Sequence, residues 1–539
     1  MPDPARLPAV DVVSPLPPVR SGISDYTVDL LPELARRLDL RLVRLPGQEV
    51  DGALADRFTV VDAERLGEPG PDGGPRLPLY QMGNNQHHAD VWRLAMERPG
   101  VLVLHDLVLH HFLIERTVAD GDFDAYRRQL TADHGWIGEA ASLPMRWPGG
   151  VGSAAQFALP AHRTLLARQR GVLVHSRWAE GYLAEEIPQL RVRRLPMGVP
   201  LPPPASEGDG KRFRERHGLP AGAPVIGSFG FQTPMKRTGV VIETLARPGL
   251  EDVHLMVAGE VAEILELGEA AEAAGVADRV HVLGYLPFDE FEAGIAACDL
   301  TLNLRYPTAG ETSASLLRIL AVGRPAIVSD HAQMAELPDD IAVKVPVGDG
   351  EVDALAERLL TLLADRSALR RMGEGARRFV AESHRPAAAA EAVAEACRAF
   401  ADLDPREIAP PAPGRPTSLA CRSLPGEVRV EGAEGPWRTG ERRRLEIILR
   451  NTGEARWLAG ERLGGGVAVQ VKLWADGVDL WADRGWIGLP KDLGPGDGAR
   501  LEVTLRRPLA ETVRLEVLPH VLGFTGLPEL DGPSWGADL

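Results

Sequence analysis

Between residues 10 and 198 short apolar runs alternate with helix-like stretches: VDVVS (10–14), RLVRL, LPLYQM (77–82), VLVLHD (101–106), VLVHS and VRRLP. Continuous apolar runs of this length are how parallel strands buried on both faces read. After the first run a Pro/Gly loop (15–22) leads into SDYTVDLLPELARRL, where Leu30, Leu31, Leu34 and Leu38 make an apolar stripe at helical spacing and Ser24 is the candidate N-cap. The pattern predicts repeated βα units.

A Pro-rich stretch, PMGVPLPPPASEGDG (196–210), interrupts the series, and a second one begins: VIGSFGF (225–231), HLMVAGE (254–260), HVLGYL (281–286), DLTLNLRY (299–306), PAIVSD (325–330) and AVKVP (342–346). Alanine-rich helical sequence follows to about 403, then a second Pro-rich stretch, DPREIAPPAPGRPTS (404–418). Beyond it the apolar period becomes two, in RRRLEIILRNTG, VAVQVKLW, ARLEVTLRR and TVRLEVLPHV, separated by Gly, Pro and Asp turns. That is the signature of a β-sandwich. The expected architecture is α/β, with two Rossmann-like domains (1–200 and 211–403), a linker (404–420) and an all-β accessory domain (421–539).

Composition adds to this picture in three places. At roughly 150 residues per domain, 539 residues suit about three domains. The net charge is −16 and only five residues are lysine, with no basic block, which argues against a nucleic-acid partner. Cys298, Cys397 and Cys421 match no zinc or disulfide spacing, the first ten residues lack the apolar core of a signal peptide, and no run reaches 18 apolar residues. A cytoplasmic place is expected. Six of the ten tryptophans (437, 457, 474, 481, 486 and 535) fall in the last 119 residues. They read either as core or, for Trp474, Trp481 and Trp486, as a surface for stacking sugar rings.

Ligands of doubly wound sheets bind beyond the carboxyl ends of the strands, so candidate chemistry is sought in those loops. Lys236 and Arg237 follow VIGSFGF where a loop becomes a helix. Two cations there oppose the helix dipole, a conflict that an external phosphate resolves and that solvent also relieves. After DLTLNLRY the amides of Gly310, Glu311, Thr312 and Ser313 sit near a helix start, suited to an anion or to a plain cap. Arg305 ends that strand and reads as an anion partner or as half of an ion pair. In the first domain Gly22 either lets a ligand approach the backbone or satisfies a positive φ. His105 ends VLVLHD and is read as a partner for a substrate hydroxyl. Asp106, His110 and His111 lie close by, but the set lacks the carboxylate spacing of a metal site, and no metal is expected.

Taken in order, VVSPLPPVRSGISDYTVDLLPEL, VLVLHDLVLHHFL, VLVHSRWAEGYL, RVRRLPMGV, FGFQTPMKRTGVVIETL, RVHVLGYLPFDEFEAGIAACDLTLNLRYPTAGETSASLLRILAVGRPAIVSD and RMGEGARRFV resemble the GT-B nucleotide-sugar glycosyltransferases, specifically the retaining family 4 group, over residues 10–400. The resemblance implies that Lys236 and Arg237 hold a donor diphosphate and that His105 contacts the transferred sugar. It further implies that the loop with Gly22 closes over the phosphates or acceptor and that Gly284, Tyr285 and Leu286 lie at the nucleobase. The implied co-substrate is a nucleoside-diphosphate sugar, the implied acceptor a glycan or glycoconjugate, and association with the inner membrane face is compatible with both. LRNTGEARWL resembles immunoglobulin-like modules in which Trp457 packs inside.

One departure stands out. The family usually carries two glutamates eight positions apart, the second binding ribose. Here Arg318 and Gly310 occupy those places and Glu311 comes one position later, which makes Arg318 a candidate phosphate contact. The implied reaction is retaining and needs no metal, because Lys236, Arg237 and the helix-start amides meet the charge on the leaving diphosphate. A non-catalytic sugar or nucleotide-sugar binder, and a GT-B epimerase or phosphorylase, are the alternatives.

Overall fold

The structure is a computed structural model that describes residues 7–70, 73–142, 145, 153–203, 207–408, 418, 424–459, 466–480, 486–521 and 533–539. Cys421, Trp481 and most of the 404–420 stretch lie outside the described residues.

The first sheet is wholly parallel and contains β1 (Ala9–Val13), β2 (Asp39–Arg44), β3 (Thr59–Asp62), β4 (Leu77–Met82), β5 (Val101–Leu104), β6 (Gly171–Val174) and β7 (Val192–Arg194), in the order 3-2-1-4-5-6-7. Every residue of β4, β5 and β6 is buried, as expected of strands covered on both faces. β3 escapes the sequence pattern because its four residues hold only the apolar pair Val60 and Val61. The helix after β1 runs Gly22–Leu34 and buries Leu30, Leu31 and Leu34. Its N-cap is Ser21, not Ser24: Ser21 has extended dihedrals and its Oγ accepts from Ile23 N at 3.3 Å, whereas Ser24 is already inside the helix.

The second sheet, also parallel, contains β8 (Val225–Phe229), β9 (His254–Ala258), β10 (Val280–Gly284), β11 (Leu300–Asn303), β12 (Ala326–Ser329) and β13 (Ala342–Val345) in the order 10-9-8-11-12-13. Strand order reverses beside β8, so the ends of β8 and β11 flank the switch point where such sheets bind ligands. The last helix, Pro386–Phe400, returns to the first sheet: it packs on helix Gly22–Leu34, and Phe400 lies against Gly171.

By contacts the chain forms two compact units. One comprises Met1–Gly83, His87–Leu107 and Leu165–Glu407 and holds both parallel sheets. The other comprises Asn84–Gln86, Val108–Thr164 and Ile408–Leu539. In the latter, antiparallel sheets built on strands Arg442–Asn451 and Gly466–Ala475 share one apolar core, and strand Gly498–Arg506 alternates strictly between exposed and buried. Helices His110–Arg116, Phe123–His134 and Trp136–Ser142, which lie between β5 and β6 in the chain, contribute Leu113, Tyr126, Leu130 and Ile137 to that same core. Trp457 is fully buried there and Trp437 nearly so, the core reading of these rings. Trp474 and Trp486 are half-buried, Trp474 donating to Glu516 at 3.1 Å and Trp486 meeting the edge of His520. Cys298 and Cys397 are buried free thiols, and burial pushes each up to about 12. No helix of the described residues is long and apolar enough to cross a membrane.

Candidate active site

Beyond β8 the chain passes through Gly230, makes a 3-10 turn over Pro234–Lys236 and enters helix Thr238–Leu245. The turn sends the two neighbouring cations in different directions. Lys236 turns inward and is buried, its Nζ donating to the Phe229 carbonyl. Gly230 beneath it sits at φ 87°, a conformation that favours glycine, and a Cβ there would lie 2.9 Å from Nζ. Burial, then the Arg305 charge, hold the Lys236 ammonium well below its usual range, while Glu311 pulls it up. Arg237, in the left-handed region at φ 59°, turns to the buried carboxylate of Glu351, with Nε 3.3 Å from Oε1. The conflict with the helix dipole is thus met internally for Arg237, and only Lys236 faces the strand ends. The two cations adjoin in sequence, and it is Glu351, 114 positions from Arg237, that draws them apart.

The end of β11 supplies the complement. The Arg305 amide donates to Ser329 Oγ at 2.9 Å, and its guanidinium forms an ion pair with Glu311 and donates to Ser313 Oγ at 3.2 Å. Glu311 also accepts from Thr308 Oγ1 at 3.0 Å, and the Gly310 amide donates to the same hydroxyl at 3.0 Å. Ser313 is the N-cap of helix Ala314–Val322, its Oγ accepting from Leu316 N at 3.2 Å. Among the described residues no partner takes the amides of Thr312, Ala314 or Ser315. Lys236, Arg305, Glu311 and this helix start therefore gather at one switch point, a place suited to an anion. Both sequence alternatives apply here: Ser313 is a cap and Arg305 is in an ion pair, yet the start of the helix retains free donors.

Arg318 lies one turn further along. It pairs with Asp29 of helix Gly22–Leu34 at 2.6 Å and lies 4.2 Å over the Phe288 ring. Its guanidinium is thus held between the Asp29 carboxylate and the Phe288 ring. Burial raises Asp25 and Asp29 above the usual carboxylate range, with Arg318 opposing it in both. Gly284, at φ 70°, has open space around it, Tyr285 is exposed with the Arg20 guanidinium 5.0 Å from its ring centroid, and Leu286 is buried.

In the first domain Gly22 opens its helix without a positive φ, and no atom lies within 4 Å of the place a Cβ would take. The positive-φ alternative therefore does not apply to Gly22, and the space beside its backbone is open. His105 is buried, and both ring nitrogens are engaged: Nε2 with Gln81 Oε1 at 2.7 Å and Nδ1 with His175 Nε2 at 3.2 Å. Tyr26 meets its ring edge-on at 5.0 Å. Burial and His175 keep it neutral, well below the usual histidine range. Gln81 and His175 thus hold the His105 ring at the end of β5. Its partner His175 ends β6 in VLVHS just as His105 ends β5 in VLVLHD, and that parallel is the signal by which the sequence points to the pair. His110 belongs to the other compact unit, bound to the Leu159 carbonyl and Tyr126 Oη at 2.8 Å each. No group of three or more His, Cys, Asp or Glu suited to a metal occurs among the described residues. A cavity of about 380 Å³ lined by Pro202, Arg212, Phe213, Arg216, Glu290 and Glu292 contains none of the strand-end residues above.

Set against known proteins, the fold has counterparts. The Anabaena protein Alr3699/HepE, solved with UDP and glucose, is 16% identical with a TM-score of 0.51, covering 72% of this chain and 99% of that one. The fold is GT-B. Sucrose-phosphate synthase from Thermosynechococcus elongatus shares this GT-B arrangement at 16% identity and a TM-score of 0.50, over 73% of this chain and 99% of that one. Residues 209–379, the stretch carrying Lys236, Arg305 and Glu311, match the family model of glycosyl transferases group 1. A curated relative, 2-deoxystreptamine glucosyltransferase of Streptomyces kanamyceticus, is 26% identical over 166 residues, which is 30% of this chain and 42% of the relative's length.

Proposed function

We propose that this GT-B protein is a glycosyltransferase that moves a sugar from a nucleoside-diphosphate sugar to a hydroxyl of a glycan or glycoconjugate. The observation that carries the reading is the convergence of Lys236, the Arg305–Glu311 pair and the free amides of the helix capped by Ser313 at the switch point between β8 and β11. A buried, desolvated ammonium with no carboxylate of its own among the described residues is a site for an external anion, and a diphosphate restores its charge. Lys236 and the amides then meet the charge that develops as the bond from the anomeric carbon to the diphosphate oxygen breaks. The acceptor oxygen forms the new bond to that carbon, and its proton passes to the departing diphosphate. Attack from the face the diphosphate leaves gives retention. In this reading charge neutralisation belongs to these protein groups, Gly22 admits the donor phosphates or acceptor, Gly284 to Leu286 border the nucleobase, and the C-terminal sheets are an immunoglobulin-like accessory module. The UDP and glucose of HepE and the glucosyl transfer named for the Streptomyces relative make UDP-glucose the first donor to try. A glycoconjugate acceptor suits a cytoplasmic enzyme that visits the inner membrane face.

The test is incubation with UDP-, GDP-, ADP- and dTDP-sugars, following nucleotide release and the anomeric configuration of the product. Engagement of both His105 nitrogens favours a second reading, a nucleotide-sugar binder without turnover. Binding of a donor with neither hydrolysis nor transfer would select it.

A further inference from the structure

After β12 the chain makes a 3-10 turn, Ala332–Glu336, that none of the sequence motifs singled out. Three observations set it apart. Ala332 sits at φ 49°, a conformation that non-glycine residues adopt at a cost and that concentrates at functional sites. Gln333 is buried and its Nε2 donates to both Thr308 Oγ1, at 3.0 Å, and the Glu311 carbonyl, at 2.7 Å, so that one side chain ties down the loop carrying Glu311. Glu336 reaches the other sheet's domain, where its carboxylate accepts the amides of Arg177, at 3.1 Å, and Trp178. Those are the first two amides of helix Arg177–Glu186; Ser176 Oγ takes the third, at Ala179, at 3.1 Å. The loop 308–313 also approaches this helix directly, since a Cβ on Gly310 would lie 3.0 Å from Trp178 Cζ3, as well as 2.6 Å from Leu107 Cβ.

We infer that Gln333 and Glu336 are positioning residues that tie the donor-side loop 308–313 to the N-terminus of helix Arg177–Glu186, so that the placement of Glu311 and Arg305 depends on the first domain. The proposal rests on the proposed transferase reading for its kinetic consequence but not for its structural one. A carboxylate bound at a helix start has a favoured position, set by two aligned amides and the dipole. Gln333, three residues earlier on the same turn, passes that position to Thr308 and Glu311. Glu311 in turn orients Arg305, beside Lys236. Misplacing groups that meet a developing charge by about 1 Å lowers the rate by about a hundredfold, while donor binding through the remaining contacts persists.

The experiment compares wild type with Gln333→Met, Glu336→Ala and, as a control, Ser176→Ala, which frays the same helix start without cutting the link. Amide hydrogen exchange over residues 307–316 and steady-state kinetics with UDP-glucose are measured on the full chain. The expected result is faster exchange of 307–316 in both linking variants and not in the control, with kcat lowered about ten- to a hundredfold and donor KM changed less than about threefold. Wild-type exchange in Glu336→Ala, which alters an exposed side chain and so leaves folding intact, would overturn the inference, as would faster exchange with unchanged kcat. A wild-type protein that turns over no donor contradicts the transferase reading, and the exchange comparison still decides the link.

Discussion

Replacing Lys236 by methionine should make the protein more stable and less active at once. Lys236 is buried, and its ammonium is disfavoured first by lost solvation and then by Arg305. Substituting an apolar side chain of similar volume for buried charge is neutral or stabilising by about 1–4 kcal/mol, which raises Tm by a few degrees in a domain of this size. The pH dependence has a definite sign. The folded pKa lies below the usual 10.5, so between the two values the unfolded chain holds more protons, and stability rises with pH through that window. Lys236→Met removes this slope. A bound diphosphate reverses the preference and charges the ammonium, so donor binding by the wild type takes up a proton and is favoured toward the acid side of the window. Hydrogen bonds to charged groups contribute about 1.5–3 kcal/mol, so the variant should bind the donor about ten- to a hundredfold more weakly. Calorimetric titration in two buffers of different ionisation enthalpy, beside thermal unfolding without ligand, measures all three quantities. A variant that melts lower than wild type and binds donor equally well would refute the reasoning, because Lys236 would then be a structural cation.

Other expectations follow from neighbouring contacts. Glu351→Gln leaves the half-buried Arg237 without its carboxylate and should destabilise by about 1–3 kcal/mol, less than a fully buried pair because Arg237 retains solvent; denaturant titration reads this directly. Gly310→Ala forces a side chain into φ 77° against Leu107 and Trp178 and should cost more than about 1 kcal/mol, with a larger proportional loss of turnover than of donor binding. Burial pushes His110 down to about 4, so the unfolded chain, near 6.5, protonates first. About 3 kcal/mol of stability should be lost as pH falls from about 6.5 to 4, a dependence that denaturant titrations of His110→Gln should show reduced.

Twelve of the thirteen strands of the two parallel sheets are legible in the sequence, most of them because strands covered on both faces are continuous apolar runs. β3 is not: its four residues, Thr59–Asp62, hold only the apolar pair Val60 and Val61 between polar neighbours, too short a run to stand out. Ser24 and Ser21 are equivalent as cap candidates by residue type; extended dihedrals at Ser21 decide between them, and those belong to the folded chain. The candidate site divides in the same way. Strand ends are readable, so Lys236, Arg305, Glu311 and His105 could be named from the pattern. Their partners could not: Glu351, Asp29 and Gln333 are distant in sequence from the cations and loop they hold, and only the folded chain brings them together. The grouping of residues 108–164 with the C-terminal sheets is likewise a property of a shared core that no local period announces.

The most direct test of the central claim is one reaction: purified protein, UDP-glucose or another nucleoside-diphosphate sugar, and a glycan acceptor, with the anomeric signal of the product read by NMR. The account predicts release of the nucleoside diphosphate and a glycosidic bond with the donor's anomeric configuration, both reduced in Lys236→Met. Failure of every nucleoside-diphosphate sugar to bind at millimolar concentration would contradict it.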